Sequence, residues 1–224
     1  MQLDHIDTWL FDLDNTLYPP STGLFPKIDV RMGLFIQRLL GVDATEARRV
    51  QKAFFHEHGT TLRGLMDAHG VEPTPFLDFV HDIDMETIQP DARLVGAMRR
   101  LPGRKLIFTN ADTDYARRVL ARLGLGDAFE AIHCIHGMDY WPKPDARAYA
   151  ALVDRYAIDP ARALFVEDMA RNLEPAKAIG MTTVWVDNGS EHGAHGASPS
   201  YIDIEITDVA TWLDGLTFPA RVAA

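Results

Sequence analysis

From Asp91 onward the chain alternates helix-period segments with short apolar runs, and this alternation constrains the fold more than any other feature. Apolar runs at 105–108, 131–135, 163–166 and 183–186 predict strands, separated by helices predicted at 92–100, 113–123, 145–156 and 173–179. A strand–helix–strand repeat of this kind builds a parallel sheet with helices on both faces, because each crossover must return over the sheet. Residues 202–206 are expected as an edge strand and 209–213 as a short last helix. The run from Ile6 to Phe11 supplies a further strand near the N-terminus. The fold class is therefore α/β, a Rossmann-like parallel sheet.

Between that first strand and Asp91 the periodicity is helical throughout. Ile28, Met32, Phe35, Ile36, Leu39 and Leu40 recur at helical spacing in a segment, 27–40, that stops at Gly41. Asp43-Ala44-Thr45-Glu46 resembles a capping box and opens a second helix reaching to about Gly59. Residues 61–69 form a third, and Thr74-Pro75 marks a fourth, over 74–82, with Thr74 as the cap. Four consecutive amphipathic helices predict a small bundle inserted after the first strand. The expected division is an α/β core of residues 1–16 and 89–224 and a helical insert of residues 17–88.

The formal charge of −10 over 224 residues disfavours a nucleic-acid polymer or an anionic membrane as partner, since both would be repelled. Small molecules are the expected partners, and the chain is expected as a monomer or homodimer. The single cysteine, Cys134, excludes an intrachain disulfide and a cysteine-based zinc site, and its apolar surroundings predict a buried thiol. No apolar run approaches the ~18 residues of a membrane span, and Met1-Gln2-Leu3-Asp4 lacks the basic start of a signal peptide. A cytoplasmic location is the expectation that follows.

In an open parallel sheet, ligands bind beyond the carboxyl ends of the strands. Four polar groups fall there: Asp12 with Asp14, Thr109 with Asn110, Lys143, and Glu167 with Asp168. Any one alone reads as a solvated turn or cap, but their joint occurrence at the ends of separate strands predicts a site. Two unit charges ~4 Å apart at an effective dielectric of ~20 repel by ~4 kcal/mol, so the carboxylates need a counter-charge. Lys143 and a divalent cation would supply it, and hard oxygen donors favour Mg²⁺ over zinc. In extended backbone Glu167 and Asp168 cannot both face one ion. Asp168 is therefore expected as the direct ligand, with Glu167 acting through water or a hydrogen bond, and Asn172 one helical turn on.

Taken in order, Phe11-Asp12-Leu13-Asp14-Asn15-Thr16-Leu17, Thr109-Asn110, Lys143-Pro144 and Glu167-Asp168-Met169-Ala170-Arg171-Asn172 resemble the four motifs of the haloacid dehalogenase superfamily. The helical insert resembles that superfamily's first type of cap. Asp14-Asn15-Thr16-Leu17-Tyr18-Pro19 and Gly59-Thr60-Thr61-Leu62-Arg63-Gly64-Leu65 are similar to the pyrimidine 5′-nucleotidase group.

The resemblance implies a Mg²⁺-dependent phosphomonoesterase acting on a small phosphate ester. Asp12 would be the nucleophile that forms an aspartyl-phosphate, and Asp14 the acid and base. Thr109, the Asn110 amide and Lys143 would hold the phosphoryl group. Asp12, the backbone carbonyl of Asp14, and Asp168 would hold the metal. Dehalogenases of the superfamily lack an acid at the Asp14 position, which favours a phosphatase. From the insert, Thr61 and Arg63 are expected to contact the base or sugar, with Tyr18 at its entrance, although Arg63 in a salt bridge internal to the insert fits the sequence too. Alternative readings are a phosphatase or phosphomutase for a sugar phosphate, and a non-catalytic phospholigand-binding protein. His56-Glu57-His58 lacks metalloprotease spacing, His192 and His195 lie in a Gly-rich segment, 187–200, expected as a loop or partly disordered flap, and the four tryptophans are expected to pack.

Overall fold

The computed structural model describes residues 3–218. Six strands form one parallel sheet: β1 (Thr8–Phe11), β2 (Arg104–Phe108), β3 (Ala131–His133), β4 (Ala163–Glu167), β5 (Thr182–Val186) and β6 (Ile204–Ile206). They lie in the order β3-β2-β1-β4-β5-β6, all parallel. All four β1 residues are buried, as a strand covered on both faces requires. Leu10 pairs with Leu106 on one side and Phe165 on the other.

The order reverses at β1. The chain moves outward to β2 and β3, then returns to β4 on the opposite flank, so the carboxyl ends of β1 and β4 meet at a switch point. Helices α5 (Ala92–Arg100), α6 (Thr113–Leu123), α7 (Ala146–Tyr156), α8 (Leu173–Ala178) and α9 (Val209–Asp214) accompany the sheet. Gly103 illustrates a local constraint: at φ +85° its Cα approaches the Asp7 carbonyl, and a Cβ there would lie 2.3 Å from that oxygen. The contact lets Arg104 N donate to Asp7 O and sets β2 beside β1.

The insert contains α1 (Leu24–Leu40), α2 (Ala44–His58), α3 (Thr61–His69) and α4 (Pro73–His81), packed on one another. Asp43 caps α2 through the Glu46 amide, as the sequence predicts. Gly64 permits the close approach of α3 to α2, since a Cβ would stand 2.4 Å from the Phe54 side chain. Helix α4 differs from expectation. It starts at Pro73 rather than after Thr74, because a proline at the first helical position loses no hydrogen bond there.

Other departures are at element ends. The expected strand 131–135 stops at His133, because Ile135–Met138 coil into a 3-10 turn. Residues 187–200 form successive turns that carry the chain to β6, with Asn188 Nδ2 donating to Asn15 O and Ala170 N to Gly193 O. Cys134 is buried. Trp9 and Trp212 pack together. No helix among the described residues is long and apolar enough to cross a membrane.

Candidate active site

The switch point assembles the acids. Asp12 directly follows β1 and donates its amide to Val166 O at 2.9 Å, which sets its side chain beside Glu167 at the end of β4. Lys143 arrives from the segment before α7 and is 1% exposed. Its Nζ donates to Asp12 Oδ1 at 2.8 Å, Glu167 Oε2 at 2.7 Å and Phe108 O at 2.8 Å. An ammonium has three N–H donors, so all are engaged and Lys143 acts here as a buried charge rather than a free donor. Asn110 holds it there. Its Oδ1 accepts from Lys143 N and its Nδ2 donates to Lys143 O, clasping the lysine backbone. Thr109 is buried, and its hydroxyl accepts from the Ala111 amide, rounding the turn after β2. Thr16 bridges the two acid-bearing strands: its hydroxyl donates to Asp12 Oδ2 and accepts from Asp168 N.

Carboxylate oxygens of Asp12, Glu167 and Asp168 lie within 4.8 Å of one another, all buried. Glu167 and Asp168 thus converge despite being neighbours. The expectation from extended backbone does not hold, because the strand ends at Glu167 and the chain bends at Asp168. Glu167 is nevertheless tied down, accepting from Lys143 and, at Oε1, from Met169 N. Burial and the charge of Glu167 push the Asp12 carboxyl up to about 7, against the pull of Lys143. Burial and the same neighbour push Asp168 well above the usual carboxylate range. Three buried acids with one ammonium among them form a set of hard oxygen donors short of positive charge, which fits a divalent cation of the Mg²⁺ kind.

Asp14 is arranged differently. Its carboxyl is outside that cluster, and its Oδ1 accepts from Tyr18 OH at 2.5 Å and Tyr115 OH at 2.6 Å. Burial raises its pKa, opposed by those two hydrogen bonds.

Above the acids lies a cavity of about 190 Å³ between core and insert. Asp12, Asp14, Thr109, Asn110, Lys143 and Asp168 form its floor, while Phe25, Met32, Phe55, Phe76, Leu77 and Val80 give it apolar and aromatic walls. Thr61 lines it, with its hydroxyl donating to Gln51 O. Arg63 and Tyr18 are not among the lining residues. Arg63 forms a two-bond pair with Asp67 and stacks at 3.7 Å on Trp141, which Arg147 covers at 3.1 Å. It belongs to the seam between insert and core.

Several lining groups escaped the sequence reading. Arg171 reaches over Phe55 at 4.4 Å, donates to Gly59 O, and is lowered in pKa by burial. Glu191 stands 3.6 Å from Lys52 and 4.0 Å from Arg48 on α2, so the 187–200 turns touch the insert. Tyr115, from α6, also went unread, although Tyr18, four residues beyond Asp14, carried a local signal.

Residues 6–180 match the family described as haloacid dehalogenase-like hydrolase. The chain is 26% identical over 189 residues to Phosphate metabolism protein 8 of Saccharomyces cerevisiae, covering 77% of this chain but only 59% of that relative's length. Among solved structures, a HAD phosphatase from Thermococcus onnurineus superimposes with a TM-score of 0.59 at 20% identity, over 91% of this chain and 94% of that one. L-2-haloacid dehalogenase from Xanthobacter autotrophicus, with chloropropionic acid covalently bound, gives 0.56 at 17% identity, over 95% and 100%.

Proposed function

Because this chain belongs to the haloacid dehalogenase-like hydrolase family, we propose that it is a Mg²⁺-dependent phosphomonoesterase working through an aspartyl-phosphate, with a pyrimidine nucleoside 5′-monophosphate as its substrate. One observation carries the reading. A second carboxyl, Asp14, lines the same cavity as Asp12 yet stands outside the acid cluster, held by phenols rather than by other charges. It is thereby available for proton transfer, which breaking a phosphate ester with a poor leaving group requires.

Asp12 attacks phosphorus, and the bond from phosphorus to the leaving oxygen breaks with its electron pair on that oxygen, which takes a proton from Asp14. Water then attacks the phosphorus of the aspartyl-phosphate and gives its proton to Asp14, releasing inorganic phosphate and restoring Asp12. Lys143 balances negative charge beside Asp12 throughout. Thr109, through its hydroxyl, and the Asn110 amide would hold the phosphoryl oxygens, the Thr109 amide itself being engaged by His133 O. Asp12, Asp168 and the Asp14 backbone carbonyl would hold Mg²⁺, which when bound supplies the charge neutralisation that one lysine leaves incomplete.

The aromatic and aliphatic walls contributed by α1, α2 and α4 suit a flat base better than a bare sugar. The name of the yeast relative, a phosphate metabolism protein, supports phosphate chemistry. Phosphate release should be measured across UMP, CMP, AMP, GMP and sugar phosphates, with chloride release from 2-chloropropionate in parallel. UMP and CMP should give the highest kcat/KM and no chloride should appear. Low-ranking pyrimidine nucleotides would discard the substrate, and chloride without phosphate would discard the esterase.

A further inference from the structure

Two phenols, Tyr18 and Tyr115, converge on one oxygen. Tyr18 is 3% exposed and Tyr115 1%, and both hydroxyls donate to Asp14 Oδ1 while standing 3.4 Å from each other. A phenol keeps its proton at neutral pH, and the carboxylate oxygen offers only lone pairs, so both hydroxyls are donors here. Asp14 Oδ2 has no hydrogen-bond partner among the described residues, and Asp14 lines the cavity. The Tyr115 ring is itself fixed, stacked at 4.3 Å and 19° on His81 at the end of α4. His81 is pinned in turn by Asp112 through its ring and by Arg118 through its carbonyl.

We propose that Tyr18 and Tyr115 are positioning residues that decide which oxygen of Asp14 carries the proton and where it points. This deepens the esterase reading and rests on it. An oxygen accepting two hydrogen bonds has both lone-pair directions filled, so the proton of the neutral acid resides on Oδ2. The same two bonds stop the carboxyl from rotating, leaving Oδ2 toward the cavity. In the first half-reaction the Oδ2 proton passes to the leaving oxygen as its bond to phosphorus breaks and it retains the electron pair. In the second, Oδ2 accepts a proton from the attacking water.

Loss of this positioning has a signature that simple structural damage lacks. A poor leaving group needs the proton, whereas p-nitrophenolate leaves readily without one. Tyr18→Phe, Tyr115→Phe and the double variant keep the rings and the His81 stack, and thermal melting checks that they fold. Their kcat/KM should be measured on p-nitrophenyl phosphate, phenyl phosphate and a simple alkyl phosphate, the parameter being chosen because it reports the first transfer alone. General acid catalysis contributes roughly 10²–10⁴-fold. The double variant is therefore expected to lose ~30-fold or more on the alkyl ester and less than ~3-fold on p-nitrophenyl phosphate, with phenyl phosphate between. Equal losses along the series, or no loss on the alkyl ester, would overturn the positioning role while leaving the esterase intact. If the unmodified protein released phosphate from no member of the series, both readings would fall together.

Discussion

Replacing Lys143 by Met removes one charge from the centre of the site, an ammonium that stands 5.1 Å from the Phe108 ring and 5.2 Å from the Phe165 ring, while keeping an unbranched side chain in its place. The variant strands Asp12 and Glu167, both buried and both now without the ammonium that each contacts within 2.8 Å. Breaking a buried ion pair by removing one partner costs about 3–5 kcal/mol, and for a chain of this size that lowers Tm by roughly 2–4 °C per kcal/mol.

The effect must depend on pH in a definite sense. A carboxyl whose folded pKa lies above its unfolded value loses stability as pH rises from the unfolded to the folded pKa. In the unmodified protein Asp12 stops losing at about 7, where it ionises in the folded state beside Lys143. Without the lysine that limit moves upward, so the deficit should widen by about 1.4 kcal/mol for each further pH unit. Urea unfolding in chelator at pH 5, 7 and 9 measures this directly. The variant should lie nearest the unmodified protein at pH 5 and furthest from it at pH 9. An equal loss at all three, or none at pH 9, would refute the electrostatic account of the Lys143 contacts.

Two other outcomes follow from the same geometry. Mg²⁺ at a hundred times its dissociation constant should stabilise the fold by about 2.7 kcal/mol and EDTA should abolish turnover, because Asp12, Glu167 and Asp168 crowd together; an unchanged Tm with full activity in chelator would contradict the cation. Arg63→Ala should lower stability by about 1 kcal/mol through the lost Asp67 pair and Trp141 stack, with kcat/KM falling alike on UMP and p-nitrophenyl phosphate; a loss confined to the nucleotide would return Arg63 to the cavity.

The fold class and the floor of the site were legible from the residues alone, and the reason is locality. An apolar run ending in Asp12-Leu13-Asp14, or one ending in Glu167-Asp168, states both its strand and what that strand carries at its carboxyl end. Parallel connection then obliges those ends to face one side. What the pattern leaves open is which side chains meet across the sheet and across the seam with the insert. Lys143 reaches Asp12 over 131 residues and Tyr115 reaches Asp14 over 101, and no periodicity encodes either contact. Arg63 and Arg171 show the same limit from opposite directions. As cations in loop-flanking segments they look equivalent in sequence, yet Asp67 and Trp141 draw Arg63 to the seam while Phe55 and the Gly59 carbonyl hold Arg171 at the cavity. Local chemistry along the chain determined what each strand end offers. Only the packed structure decided which partner satisfies each buried charge, because that choice depends on distances between segments remote in sequence.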